Sequence, residues 1–244
     1  MSASVVDAVM RRSQVSMTLV LVWTLIGLGI VTVAVFAWYA AKKRRKNLRE
    51  RAAGMGFTYV PDDPSLVERF AAYGDPFDRG YARRVTNVLM GSWQGRPAIA
   101  ADFSYKTHAG RKTNAATTHH VAVVGIKAGV RLPSLSVLPA AVISQPLDTL
   151  LDNDVMVENR EFNRTFTVTA PEPVVAAEVL NPTMTEFLLF HPHEGLKMHA
   201  EEVLRVVPGH FRPEHLGPAL EYLDAVLARI PERARRNQGA SDQG

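Results

Sequence analysis

The segment His191-Pro-His193-Glu194, followed by His199, holds three imidazoles within nine residues. Pro192 favours an extended backbone, and an extended His-x-His presents both rings on one side. With a converging third ligand such a set could hold zinc. The ordinary alternative is a loop of solvated histidines between a helix and a strand. A second set is Asp102, Ser104 and His119. If the strands carrying them pair so that Ser104 faces His119, Asp102 lies diagonally on the same face and a nucleophile–base–carboxylate series results. A serine flat on a strand has no evident oxyanion hole, and a one-residue change of register abolishes the geometry. The wet face of a sheet is the better explanation of Asp102 and Ser104. A third set, Asp148, Asp152, Asp154 and Glu158, is acidic like a calcium loop but lacks its glycine and spacing. A solvated helix end and turn account for it.

No Walker A, G-x-G-x-x-G, H-E-x-x-H, G-x-S-x-G or kinase motif occurs. Cysteine is absent, which excludes disulfides, thiolate metal sites and a cysteine nucleophile. The expectation is therefore a protein with no catalytic residues, metal or other cofactor. The Ser104–His119–Asp102 and His191–His193–His199 sets stand as the alternatives for a membrane-tethered hydrolase or metal-dependent enzyme. A small-ligand or lipid-binding domain is a further alternative.

Charge distribution narrows the partners. The 244 residues include 28 Lys or Arg and 24 Asp or Glu. Seven of the bases fall within residues 42–51: Lys42, Lys43, Arg44, Arg45, Lys46, Arg49 and Arg51, against the single acid Glu50. Removing the nine bases and two acids of residues 1–51 leaves 19 bases and 22 acids beyond them. The main domain is slightly acidic, and the cationic run has no interleaved aromatics, so nucleic acid is not an expected partner.

That run follows residues 17–41, which carry no charge. A helix of 25 residues extends about 37 Å, enough to cross a hydrocarbon core of about 30 Å with some tilt. Twelve of these residues are Leu, Ile, Val or Phe. At roughly −0.3 to −0.6 kcal/mol each they supply about −4 to −7 kcal/mol of insertion free energy. The run is too long for a signal-peptide core, and Trp38 and Tyr39 stand where small cleavage-site residues would be needed. They fit an interfacial aromatic belt. The cationic collar on the C-terminal side places the short N-terminus outside and the rest in the cytoplasm of a plasma (inner) membrane protein. The same collar suits anionic lipid headgroups, at about 1 kcal/mol per base. Ala37 and Ala41 have the small-xxx-small spacing of helix dimers, which leaves homo-oligomerisation open.

The remaining chain reads as α+β. Residues 83–93, 97–106 and 117–127 have strand composition, and Gln94-Gly95-Arg96 makes a tight hairpin between the first two. Ala101, Phe103 and Tyr105 alternate with Asp102, Ser104 and Lys106, so one face is expected buried and one wet. A short strand is expected at 57–60 and a helix from Ser65 to Tyr73. Residues 132–139 read as an edge, 146–153 as a short helix and 162–170 as a strand. Helices follow at 173–180 and 182–190, then two short strands at 196–200 and 203–207. The helix at 213–230 carries an apolar stripe of Leu216, Leu220, Leu223, Val226, Leu227 and Ile230. The expected organisation is a short N-terminus (1–16), transmembrane helix (17–41), basic juxtamembrane helix (42–56), a mainly antiparallel sheet packed with several helices including the C-terminal amphipathic one (57–231), and a loose tail (232–244).

Phe77-Asp-Arg-Gly80, Asn87-Val-Leu-Met-Gly91 with Trp93, Gly95 and Pro97, Ala101-Asp-Phe-Ser-Tyr105, Leu132-Pro-Ser-Leu135, Phe162-Asn-Arg-Thr-Phe166 and Asn181-Pro182 carry a resemblance. Over roughly residues 45–230 the chain resembles an uncharacterised family of membrane-anchored actinobacterial proteins. That resemblance implies one membrane helix ahead of a domain without assigned activity or catalytic residues. The resulting expectation is a single-pass membrane protein whose cytoplasmic domain acts by binding another membrane or cytoplasmic protein.

Overall fold

The computed structural model describes residues 3–108, 115–139 and 155–236. The chain divides into two compact units, Met1–Asn47 and Leu48–Gly244. The acidic residues Asp148, Asp152 and Asp154, and the short helix expected at 146–153, lie outside the described residues.

Helix α1 runs Ala3–Gly54. Within the first unit every described side chain from Val22 to Ala40 is exposed, Trp23, Phe36, Trp38 and Tyr39 included. This helix is long and apolar enough to cross a membrane. Thr32 donates its hydroxyl to the Leu28 carbonyl at 2.8 Å, which satisfies a polar group that hydrocarbon could not. The Lys42 ammonium lies 5.0 Å from the centre of the Trp38 ring.

The second unit is built on one six-stranded antiparallel sheet. Strands β1 (Thr58–Asp62), β2 (Tyr81–Trp93), β3 (Arg96–His108) and β4 (Ala116–Pro139) follow one another as neighbours. The β2–β3 turn places Gln94 and Gly95 at φ 49° and 79°, the left-handed geometry that matches strand twist. Strand β4 also pairs with β5 (Phe166–Thr169) and along most of its length with β6 (Gly195–Pro208).

Helices cover both faces. On one, Leu220, Leu223 and Val226 of α6 (Leu216–Arg229) join the cluster containing Leu89, Ala100 and Val124. Leu48 and Ala52, from the last turns of α1, are buried in the same cluster. On the other, Leu66 and Phe70 of α2 (Ser65–Ala71) and Phe77 pack on Phe103, Tyr105 and Val123. Among the described residues the unit also holds the smaller helices α3 (Arg160–Thr165), α4 (Pro173–Val179), α5 (Pro182–Leu189) and α7 (Glu232–Arg236), and a 3-10 turn at Pro213–His215. The α+β architecture with a mainly antiparallel sheet is as expected from the sequence.

Four local expectations are corrected. The alternation around Asp102 does not mark a wet face, because Asp102 is 3% exposed and helices cover both sides of the sheet. Residues 132–139 are not an edge but the second half of β4, flanked by β5 and β6. The two short strands at 196–207 are one strand, bent at Ala200 (φ 52°) rather than reversed. Phe162 begins no strand: the Asn159 side chain accepts from the backbone N–H of Glu161 (3.0 Å) and Phe162 (3.1 Å), and this cap starts α3. Phe162 and Phe166 then meet at 5.0 Å between ring centres.

Candidate functional site

Two polar constellations are assembled by the sheet. The first is centred on the buried carboxylate of Asp102. A β-bulge in β2 opposes Asn87 and Val88 to Ala101 alone. It puts Asn87 at φ 52° and turns its amide onto Asp102 Oδ2, Nδ2 donating at 2.8 Å. The Tyr59 hydroxyl donates to Asn87 Oδ1 at 2.9 Å, so the amide orientation is determined. The Phe211 backbone N–H donates to Asp102 Oδ1 at 2.5 Å. His210 Nδ1 lies 3.7 Å from the same oxygen, and its ring sits 4.2 Å from that of His120. Four segments distant in sequence are thereby joined through one carboxylate.

The second constellation surrounds a cleft of about 540 Å3 where α2 approaches the bend of β6. Across that bend Lys127 pairs with Glu202 and Leu132 with Ala200, so four residues of β4 (128–131) oppose Glu201 alone. The distortion swings Lys127, Arg131 and His199 to the cleft together with Arg69 and Tyr73. Glu202 accepts from Arg69 and, at 2.8 Å, from the Tyr73 hydroxyl. Lys127 lies 4.0 Å from Glu201. Burial, and then the negative charge of Glu202, pushes the Tyr73 phenol well above its usual range.

Beside the cleft, β4 and β6 bring two hydroxyl–base pairs onto one face. His199 Nδ1 is 3.0 Å from Ser134 Oγ. Lys197, 2% exposed, donates from Nζ to Ser136 Oγ (2.9 Å) and to the Tyr73 carbonyl (2.8 Å). Burial lowers the Lys197 ammonium to about 8, with Asp75 and Asp78 pulling the other way. Burial also raises the Asp75 carboxyl, against the attraction of Arg79 and Lys197. Asp75 Oδ2 is bound by Arg79 at 3.0 Å, while its buried Oδ1 has no hydrogen-bond partner.

The residues singled out from sequence are distributed differently from either expected set. Ser104 is opposite His120, not His119, and His119 is opposite Tyr105. That one-residue difference puts His119 on the other face, where it stacks on Tyr105 (4.8 Å) and its Nε2 lies 2.8 Å from Thr107 Oγ1. The Asp102–Ser104–His119 series is therefore not formed. His191, His193 and His199 do not converge either. His191 packs between Phe187 (4.8 Å) and Tyr222 (5.1 Å), His193 is exposed, and His199 belongs to the cleft with Tyr73. Among the described residues, no group of three His, Asp or Glu side chains is placed to hold a metal ion. Glu158 is exposed. Lys42, Lys43, Arg45, Lys46, Arg49 and Arg51 lie on exposed positions of α1, and Arg51 reaches Glu214 at 3.4 Å. Arg44 lies on the same helix.

Sequence reasoning missed Asn87, His120, His210, Lys197 and the cleft. The positive-φ positions Asn87 and Ala200 have no local signature, and each constellation unites residues more than 100 positions apart.

No protein-family model and no curated protein matches the chain. Among solved structures, the crystal structure of the mycobacterial trehalose monomycolate transport factor A, TtfA, superimposes with a TM-score of 0.52. It covers 78% of this chain and 95% of that one at 16% sequence identity. At that identity the likeness is one of fold, and the α+β architecture is common to both.

Proposed function

We propose that the chain is a single-pass membrane protein whose α+β domain lies on the cytoplasmic side and acts by binding, with the cleft at the β6 bend as its recognition site. The observation that carries the reading is the helix itself. From Val22 to Ala40 its described side chains are exposed and uncharged, and the cationic run follows at once. So large an apolar surface is unfavourable in water and is covered when lipid surrounds it. The run from Lys42 to Arg51 then meets anionic headgroups. The structural neighbour is named a transport factor, which is compatible with a membrane protein carrying an interaction domain. Partners of the domain would be another membrane or cytoplasmic protein, or a small ligand.

The test is alkaline carbonate extraction of membranes from expressing cells. The full chain remains in the pellet, and a variant lacking residues 17–41 is released. Release of the full chain would refute the anchor.

A second reading, a membrane-tethered hydrolase, is favoured by the Lys197–Ser136 contact. A neutral Lys197 amine would accept the Ser136 hydroxyl proton while the oxygen attacks an acyl or phosphoryl centre, and would pass that proton to the leaving group as its bond breaks; water would then hydrolyse the seryl ester. Labelling of Ser136 by a fluorophosphonate, lost in Ser136→Ala, would favour this reading. Binding alone predicts an unlabelled serine.

A further inference from the structure

A lysine inside a folded domain ordinarily has a carboxylate against it, because an unpaired ammonium is costly to bury. Lys197 on β6 is 2% exposed, and among the described residues no carboxylate pairs with its Nζ. Asp75 and Asp78 act on it only through space. Asp75 even keeps a buried Oδ1 without a hydrogen-bond partner, although Lys197 attracts its charge. The acceptors that Nζ does reach are neutral: Ser136 Oγ at 2.9 Å and the Tyr73 carbonyl at 2.8 Å.

Two acceptors are the number a neutral amine needs. An ammonium carries three N–H donors and would strand one of them here, whereas an amine gives both N–H bonds and keeps a lone pair in the third direction. Burial favours the same form and brings the Lys197 ammonium down to about 8. Strand register sets the groups around it. Ser136 pairs with Lys197, so the hydroxyl stands directly across from the amine. His199 lies two residues farther along the same face of β6, about 7 Å away. It borders the cleft of about 540 Å3, as does Tyr73. The flexible four-carbon stem of a lysine spans most of that distance. Ser136 is itself half-buried rather than sealed.

We propose that Lys197 is a covalent site for a small aldehyde or ketone, which its Nζ takes up as an imine while Ser136 passes the protons. The lone pair of Nζ attacks the carbonyl carbon, and the carbonyl oxygen gains one of the two N–H protons. In the carbinolamine so formed the second N–H proton goes to the hydroxyl, the C–O bond breaks and one water leaves. That water contains the carbonyl oxygen and both amine protons, and no oxidant or reductant takes part. Ser136 Oγ, 2.9 Å from Nζ, accepts a proton from nitrogen as it gives its own to oxygen. Desolvated lysine amines are the ones suited to this chemistry. An uncharged carbonyl compound fits the surroundings, since Glu201 and Glu202 of the cleft already face Lys127 and Arg69. The inference goes beyond recognition by the cleft. It makes Lys197 the nucleophile, where a hydrolase would use it as a base.

The test treats the full chain in non-ionic detergent with butanal or butanone and sodium cyanoborohydride, which reduces an imine to a stable secondary amine. Peptide mass spectrometry then follows each lysine over time. At about pH 7.5 Lys197 is expected to be trapped at least about tenfold faster than the exposed Lys42, Lys43 and Lys106, because an amine titrating at about 8 is neutral far more often than one at about 10.4. Ser136→Ala is expected to slow trapping at Lys197 by about tenfold or more, while Lys106 reacts as before. Unfolding in urea is expected to remove the preference for Lys197. The proposal is overturned if Lys197 is modified no faster than the exposed lysines, if the preference persists in urea, or if Ser136→Ala is trapped at the parent rate. The first comparison is made within the parent chain and requires no variant to fold. A negative result leaves fluorophosphonate labelling of Ser136 and carbonate extraction unaffected, so failure of this proposal is distinguishable from failure of either reading of function.

Discussion

Replacing Asp102 by Asn should destabilise the domain far more than its single-atom change suggests. The carboxylate accepts from Phe211 N at one oxygen and from Asn87 Nδ2 at the other, at 2.5 and 2.8 Å, and is 3% exposed. An amide offers one acceptor where two are needed and points its NH2 at a second donor. Asn87 cannot reverse to accept, because Tyr59 already donates to its oxygen. Losing a hydrogen bond to a charged group costs about 1.5–3 kcal/mol, and stranding a buried donor adds a cost of about 1–3 kcal/mol. Relief of the carboxylate's desolvation offsets part of this. The net is about 2–4 kcal/mol. For a domain of this size each kcal/mol lowers Tm by about 2–4 °C, so a drop of roughly 6–12 °C is expected for the middle of that range. Asn87→Ala should cost less, and the double variant should cost less than the sum, since both remove the same contact. The assay is thermal and urea unfolding of the full chain in detergent, followed by near-ultraviolet circular dichroism. A stability for Asp102→Asn within 0.5 kcal/mol of the parent would refute the network.

Two further outcomes follow from buried polar groups. Lys197 binds its proton less tightly when folded, at about 8 against about 10.4 unfolded. Between those values the unfolded chain holds more protons, so this group makes stability rise with pH from about 8 to 10, with a slope of at most about 1.4 kcal/mol per unit. Tyr73 and Tyr222 are raised chiefly by burial, so the folded state keeps protons that the unfolded state sheds above about pH 10, and there stability falls. A stability maximum near pH 10 is expected, with the rising limb absent in Lys197→Met; an unchanged rise in that variant would assign it elsewhere. Asp224 accepts from Trp93 Nε1 at 2.6 Å and pairs with Arg96, fastening the β2–β3 hairpin to α6. Asp224→Ala should cost about 1.5–3 kcal/mol in the same unfolding assay, with a shift in Trp93 fluorescence.

What the sequence disclosed depends on how local each determinant is. The uncharged run and its cationic end need no partner to be read, and Gln94-Gly95 specifies a hairpin by its own backbone preference. The stripe on α6 repeats at helical spacing, and Leu216, Leu220, Leu223, Val226 and Leu227 are all buried. Phe162 and Phe166, four apart, satisfy a strand's period of two and a helix's i, i+4 alike; the Asn159 cap decides between them. The β3–β4 register could not be read, since a long polar connection leaves the pairing free to shift by one. That shift separates Ser104 from His119. The long bent β6 resembled a hairpin because Glu201-Glu202 interrupts its apolar residues, and only the bulged partner strand explains the bend. The cleft is less legible still, as it rests on contacts such as Arg69 with Glu202, 133 positions apart.

Because the chain contains no cysteine, its topology can be read with single introduced thiols. Gln14→Cys lies ahead of the uncharged segment, and Ser92→Cys replaces an exposed side chain on β2. Each variant is treated with a membrane-impermeant maleimide in right-side-out and in inverted vesicles. The account predicts that Ser92→Cys is labelled only in inverted vesicles and Gln14→Cys only in right-side-out ones. Labelling of Ser92→Cys from the outer face, or of both variants from the same face, would contradict it.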